Sequence, residues 1–259
     1  MSDSTALVIA HPGHELRAFA FLRRRRPMTA VLTDGSGSRG VSRIAQTRQI
    51  LRENGCEEGC WMGETRDADI YRMILTGEVA PFVRWTRRLA MMLKVNSVTF
   101  VAGDALEGFN PTHDLCRFML DFAVELVAQE TGIWIENREF LLEGPPGICP
   151  SGGDEDAVTM DLKDEEFAAK KITAQGYAEL RTEMERALAK FGEAPFRREI
   201  YLRAGWRGPP EKVFATPPYY ETFGELRVQE GVFRDLIRYR EHVRPLVEKL
   251  RSTLGLPDL

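Results

Sequence analysis

The sequence ALVIAHPGHE, residues 6–15, decides the fold that we expect for this chain. Its first five residues are all apolar, which is typical of a strand covered on both faces of a sheet. Residues 15–26 follow at once with helical composition, and Pro27 ends that helix. The turn between this strand and this helix carries His11 and His14, two of the four histidines in the chain.

The same succession of an apolar strand and a helix recurs through the first 140 residues. Further strands are predicted within 28–40, 97–104 and 133–144, and further helices within 41–55, 76–96 and 112–132. This alternation predicts an α/β fold, a Rossmann-like three-layer sandwich with a mostly parallel sheet and helices on both faces. Ligands of such sheets bind at the carboxyl ends of the strands.

The second half of the chain has a different pattern. A loop rich in Pro and Gly precedes a helix or helix pair and a late strand, and a tail rich in Pro and aromatic residues leads to an amphipathic helix at 232–251. We expect one domain over 1–205 and a C-terminal helical extension over 206–259. The last helix either packs on the domain or joins two copies of the chain into a homo-oligomer.

Composition limits the classes of partner. The net charge of −4 argues against nucleic acid and anionic membranes, because both require an excess of cationic side chains. The apolar run near the N-terminus is far too short for a membrane span, so we expect a cytoplasmic protein. The four cysteines match no metal or redox spacing and are expected to be reduced thiols; they are Cys56, Cys60, Cys116 and Cys149.

A third histidine, His113, follows another predicted strand in the segment EGFNPTHDL. If the sheet is doubly wound, His11, His14 and His113 converge at its rim. Three imidazoles are the ligand set of a catalytic zinc that keeps a fourth position open. The alternative is that His11 and His14 cap the following helix and that His113 lies on the surface.

Two motifs carry a resemblance to a known family. AHPGHE, residues 10–15, resembles the Ala-His-Pro-Asp-Asp-Glu signature of the PIG-L/LmbE-like zinc N-deacetylases, and NPTH, residues 110–113, resembles their later His-Pro-Asp-His segment. The loop TDGSGSRG, residues 33–40, stands where that family has Thr-x-Gly-Glu-x-Gly. The resemblance extends over about residues 5–205 and leaves the C-terminal remainder outside it.

The resemblance implies a reaction and a ligand set. Members of the family remove the acetyl group from N-acetylglucosamine-type groups with one zinc ion held by His, Asp and His. By position, His11, His14 and His113 would hold Zn²⁺ here, with His14 in place of the aspartate. The implied substrate is an N-acylated amino sugar or a related glycoside.

This chain also departs from the family pattern. Gly13 stands in place of the catalytic-base aspartate, and Asn110 and Thr112 replace a histidine and an aspartate of the later motif. One interpretation is a rewired site, in which zinc held by three neutral imidazoles activates water without a strong base and Asn110 donates to the oxyanion. The other is a metal-binding or ligand-binding homologue without activity.

Several other side chains are candidates for the missing functions. Asp34 and Asp104 follow predicted strands and could serve as the base, whereas Glu15 matches the last residue of the signature and suits a structural hydrogen bond. Each is also an ordinary loop carboxylate or helix cap. Arg39 and Arg43 either contact the substrate or lie in solvent.

Overall fold

The structure is a computed structural model, and it describes residues 4–37, 40–145, 147–148, 156–178, 180–204, 214 and 216–257. In these residues seven strands form one sheet. The order of the strands is β3-β2-β1-β4-β5-β7-β6. Their bounds are β1 Ser4–Ile9, β2 Met28–Thr33, β3 Glu58–Thr65, β4 Val98–Asp104, β5 Glu136–Phe140, β6 Val158–Asp161 and β7 Arg198–Arg203.

The first five strands of this order are parallel, and β7 and β6 add an antiparallel edge. This confirms the predicted mostly parallel α/β sheet. The chain adds β2 and then β3 on one side of β1, and β4 and then β5 on the other. The carboxyl ends of β1 and β4 therefore lie side by side where the winding reverses, which is where ligands of such sheets bind.

Helices cover both faces of the sheet. The apolar residues of β1 are fully buried and alternate between two cores, with Leu7 and Ile9 in one and Ala6 and Val8 in the other. The helices are α1 Phe19–Arg25, α2 Ile44–Glu53, α3 Asp67–Thr76, α4 Ala80–Val95, α5 Pro111–Thr131, α6 Asp164–Gly176, α7 Arg181–Phe191, α8 Tyr219–Gln229 and α9 Arg244–Leu254.

Four of these elements are absent from the sequence prediction. β3 and α3 lie in a stretch that has no continuous apolar run, because β3 is an edge strand with a mixed burial pattern. The short strand β6 follows the Pro- and Gly-rich loop. Helix α8 begins directly after Pro218, within the tail that the sequence indicates only as rich in Pro and aromatic residues.

The C-terminal helix begins later than predicted, because the backbone of Arg238 is extended. A π-helical turn, Tyr239–Val243, then leads into α9. Of the apolar positions predicted for this helix, Phe233 is 38% exposed, whereas the rest are buried in the same core as α4 and α5; they are Ile237, Tyr239, Val243 and Leu246. The apolar face that would join two copies of the chain is therefore covered by the chain itself.

Two further expectations concern membranes and thiols. None of the helices in the described ranges combines the length and the apolar character that crossing a bilayer requires. Cys56, Cys60 and Cys116 are free thiols, and Cys149 lies outside the described residues.

Candidate functional site

Three histidine rings meet at the edge of the sheet. His11 and His14 lie in the turn after β1, and His113 lies in the first turn of α5, which follows β4. The ring centroids are 5.3 Å apart for His11 and His14, 4.9 Å for His11 and His113, and 4.6 Å for His14 and His113. The rings contact one another edge to face.

The ring of His11 is held from behind by β2 and α3. Its Nδ1 lies 2.7 Å from Thr33 Oγ1 and 3.0 Å from Asp67 Oδ1. Burial would raise the pKa of Asp67, but hydrogen bonding from His11, Thr33 and Gly37 holds that pKa below its ordinary value. Asp67 is therefore a carboxylate at neutral pH and, together with Thr33, fixes the orientation of the ring.

The ring of His14 is held in the same way by β4. Its Nδ1 lies 2.9 Å from Asp104 Oδ2, which also accepts the backbone N–H of Ala10 at 2.7 Å. Asp104 is only 1% exposed. The structure therefore places Asp104 behind a histidine ring and away from the cleft surface, where a general base would have to stand.

Burial keeps two of the rings uncharged. It lowers the pKa of His11, although Asp67 partly opposes this effect, and it lowers the pKa of His113 well below its ordinary value. The neighbouring histidines lower both values further. His11 and His113 are therefore neutral at pH 7, the form in which imidazole binds a metal.

The rings are close together without forming a coordination site. In the described ranges, no three His, Cys, Asp or Glu side chains have the geometry to hold a metal ion. The arrangement thus provides the donor groups of the predicted site, with a carboxylate beside Nδ1 of His11 and of His14.

Gly13 has a backbone that favours glycine. Its φ is +106°, in the left-handed region, and a Cβ at this position would lie 2.4 Å from Leu180 Cδ1. Leu180 immediately precedes α7 and covers the point from which a side chain at position 13 would project. A residue larger than glycine is therefore disfavoured here by both the backbone and the packing.

Glu15 lies in a fully buried hydrogen-bond network. Its carboxylate accepts the N–H of Gly13 at 2.7 Å and the hydroxyls of Thr47 and Tyr177 at 3.0 Å each. Burial raises the pKa of Glu15, and these donors partly oppose it. Glu15 joins the histidine turn to α2 and to Tyr177, which follows α6.

Asn110 caps α5 and contacts a residue that the sequence prediction missed. Its Oδ1 accepts the N–H of Thr112 at 2.8 Å, so one end of the side-chain amide is committed to the helix. The same side chain is hydrogen-bonded to the hydroxyl of Tyr71 on α3. Burial raises the pKa of Tyr71 to about 12, and this hydroxyl therefore keeps its proton at neutral pH.

A cleft of about 1700 Å³ opens at the three histidines. Arg43 lines it, and the Nε of Arg43 donates to the carbonyl oxygen of Gly35 at 2.7 Å. Glu15, Asp34 and Asp104 are not among its lining residues. Asp34 instead accepts the N–H of Ser36 within its own loop, and Arg39 lies outside the described residues.

Asp67 and Tyr71 contact site residues and were missed by the sequence prediction. Both lie on α3, and Asp67 is its first residue. A signal was present, because Asp67 follows Trp61 and Met62 and precedes Ile70 and Met73, apolar positions at helical spacing. A strand followed by an acidic helix start would have placed Asp67 at the same edge of the sheet as the histidines.

Comparisons with known proteins find the same fold in solved structures. No protein-family model and no curated protein matches this sequence. A conserved protein from Thermus thermophilus is 16% identical with a TM-score of 0.51, over 83% of this chain and 98% of that chain. A deacetylase in the biosynthesis pathway of teicoplanin is 12% identical with a TM-score of 0.51, over 78% of this chain and 99% of that chain. At these identities the likeness shows a shared fold.

Proposed function

We propose that this chain is a zinc-dependent hydrolase that removes an acyl group from an N-acylated amino sugar or a related glycoside. The observation that carries the proposal is the meeting of His11, His14 and His113, with ring centroids 4.6–5.3 Å apart, at the edge where such sheets bind ligands. The motifs AHPGHE and NPTH and the fold shared with a teicoplanin-pathway deacetylase support it.

The donor set suits zinc in its chemistry. Two of the imidazoles are kept neutral by burial, and Asp67 and Asp104 hold the Nδ1 atoms of His11 and His14, as carboxylates do behind zinc-bound histidines. His11, His14 and His113 would hold the ion. When bound, zinc supplies a Lewis acid that polarises the amide carbonyl.

Tyr71 and Asn110 provide a hydrogen-bond donor for the reaction. The hydroxyl of Tyr71 is bonded to the Asn110 side chain and keeps its proton, since its pKa is raised to about 12. Both residues line the cleft with the histidines. We assign Tyr71, positioned by Asn110, the role of donating to the oxygen on which negative charge develops.

The remaining features are compatible with a small-molecule substrate. The cleft is large enough for an amino sugar conjugate, and Arg43 on its wall is the candidate contact to the sugar.

We assign the reaction to residues 1–205 and treat 206–259 as an extension. The net charge of −4 supports a protein that binds no nucleic acid, and we place it in the cytoplasm.

A catalytically silent, ligand-binding homologue is the second candidate. The observation that favours it is Gly13, whose φ of +106° strains any other residue and where a Cβ would have to displace the Leu180 side chain. In addition, Glu15 and Asp104 are committed to buried hydrogen bonds. Loss of a general acid or base typically lowers the rate of such a reaction by about 10²–10⁴-fold.

Zinc binding tests the metal site. We expect the wild-type protein to bind zinc, and His14→Ala to lose that binding. His242→Ala is the matched control, because His242 lines the same cleft and its Nδ1 accepts the N–H of Arg238. Equal zinc affinity in wild type and His14→Ala would contradict the three-histidine site.

Release of acetate or another acyl acid from N-acylated glucosamine conjugates tests the reaction. We expect zinc-dependent turnover in the wild type, with kcat in Tyr71→Phe lower by about 10²-fold and little change in zinc affinity. Zinc binding without turnover over a broad panel would favour the silent homologue.

A further inference from the structure

Helix α7 has an apolar stripe that faces the cleft. No residue of α7 is buried, yet four apolar side chains are spaced along one side of it, and all four are half-buried and line the cleft; they are Met184, Ala187, Leu188 and Phe191. Their spacing is that of one helical face. An apolar helix face usually packs on a core, whereas this one faces the space that opens at the histidines.

Other apolar side chains line the same cleft. Phe167 and Ala174 belong to α6, Leu16 follows the histidine turn, and Phe196 precedes β7. Phe167 is 2% exposed and Ala174 is 6% exposed, so these residues join the cleft to the core beneath it. We call this part of the cleft the apolar arm. Glu183, Lys170 and Lys171 also line the cleft on α6 and α7, but both lysines are ion-paired with other residues, and the apolar side chains provide a surface for a hydrocarbon ligand.

The apolar arm begins at the candidate site. Leu180, at the start of the stripe, contacts Gly13 in the turn between His11 and His14. From Leu180 to Phe191 the helix advances by about 16 Å, at a rise of about 1.5 Å per residue. A molecule with its amide at the histidines could therefore lie along α7 for the length of an extended alkyl chain.

We propose that the apolar arm binds the N-acyl chain of the substrate, and that this chain is a linear alkyl group longer than acetyl. The inference rests on the proposed function for the nature of the amide, but the binding of the chain does not require turnover. The N-acyl chain fits better than an alkyl group on the far side of the sugar, since the stripe begins beside the histidine turn. A macromolecule over the stripe would close the cleft that the reaction needs.

Two alanines of α7 provide a matched pair of variants. Ala187 is half-buried and lines the arm, whereas Ala189, two residues further on, is exposed and does not line it. Ala187→Phe fills the arm, and Ala189→Phe adds the same side chain to the outer surface. Leu188→Gln makes the arm more polar without adding bulk, and it replaces Ala187→Phe in the test if Ala187→Phe fails to fold.

The test measures binding of N-dodecanoylglucosamine, N-acetylglucosamine and dodecyl glucoside by calorimetry, on zinc-free protein and below the micellar concentration of each probe. We expect N-dodecanoylglucosamine to bind most tightly, and Ala187→Phe to weaken it by about tenfold or more while Ala189→Phe leaves it unchanged. Equal binding of the dodecanoyl and acetyl compounds, or tighter binding of dodecyl glucoside, would overturn the proposal.

Light scattering on the same proteins tests the competing occupant, a second copy of this chain. A monomer in the wild type supports the alkyl-chain site, and a dimer that Ala187→Phe dissociates would overturn it. The measurement on His14→Ala separates this inference from the proposed function. His14→Ala, which is expected to lose zinc and turnover, should still bind N-dodecanoylglucosamine. A wild-type protein that binds this probe through the arm but shows no zinc-dependent turnover would reject the hydrolase and leave the apolar arm standing.

Discussion

Asp104 Oδ2 lies 2.9 Å from His14 Nδ1 and accepts the backbone N–H of Ala10 from the same oxygen. One carboxylate thus orients the ring and fixes the end of β1. Asp104→Asn keeps an oxygen that can accept both bonds but removes the charge that makes the imidazole a stronger ligand. We expect zinc affinity, measured by competition with a chelator, to fall by about 10–100-fold.

The same variant separates two roles for Asp104. If Asp104 is a general base, its substitution should lower kcat without changing zinc affinity. If it positions His14, the substitution should lower the zinc affinity. Asp34→Asn is the control, because the Asp34 side chain accepts the N–H of Ser36 within its own loop and is not among the residues that line the cleft. Unchanged affinity in Asp104→Asn would remove the positioning role.

Gly13→Ala is expected to destabilise the protein. The left-handed backbone, with φ at +106°, costs a non-glycine residue about 1–3 kcal/mol, and the new Cβ would also displace Leu180. Urea unfolding measures the loss. Gly176→Ala is the control, since it ends α6 with open space around it and should be neutral or stabilised by up to about 1 kcal/mol.

The double variant Gly13→Ala, Leu180→Ala isolates the backbone contribution. Removal of the Leu180 side chain gives the new Cβ room, so part of the loss should be recovered and the cost of the positive φ should remain. If the loss of stability in the double variant equals or exceeds the sum of the losses in the two single variants, Leu180 does not restrict this position.

The strands that carry the histidines could be predicted because their apolar runs are continuous. Residues 6–10 are entirely buried, and a buried strand followed by a turn places His11 and His14 at a strand end. Asp67 could not be found in this way, because in the edge strand β3 only the adjacent residues Trp61 and Met62 are buried. Its contact with His11 also depends on β2 and β3 lying beside β1, which the order of elements alone does not specify.

The position of α7 was beyond sequence reasoning for a different reason. Its apolar stripe predicts a helix that packs against something, and periodicity cannot distinguish a core from a cleft. The contact between Leu180 and Gly13 joins residues that lie far apart in the sequence. The sequence therefore predicted the histidines of the candidate site but not the surface that covers them.

Glu107 is expected to make stability depend on pH near neutrality. Burial raises the pKa of its carboxyl to about 7, although the N–H groups of Leu142 and Glu143 donate to it. Because the folded state holds this proton more tightly than the unfolded state does, the stabilisation is complete below about pH 4.3 and is lost as the pH rises through 7.

The comparison variant for this effect is Glu107→Gln, which keeps an oxygen to accept the backbone bonds and cannot titrate. The free energy of unfolding of the wild type, relative to Glu107→Gln, should fall by on the order of 2 kcal/mol between pH 5 and pH 8. Parallel stability curves for the two proteins over this range would show that Glu107 has an ordinary pKa.

Lys170 and Glu199 form a buried ion pair between α6 and β7, with Nζ and Oε1 3.1 Å apart. Lys170→Met leaves the Glu199 carboxylate buried without its cation, and such losses cost about 3–5 kcal/mol. The backbone N–H groups of Ala20 and Phe21 still donate to this carboxylate, so we expect the lower end of that range in urea unfolding.

Lys171→Met is the matched control for this variant, since Lys171 is the next residue and pairs with Glu193 on the surface. An exposed pair contributes about 0–1 kcal/mol, so the control should be close to wild type. The double variant Lys170→Met, Glu199→Gln removes both charges and should recover part of the stability, because the main cost is a buried carboxylate without its partner. Equal losses in Lys170→Met and Lys171→Met would show that the buried pair does not support this layer of the fold.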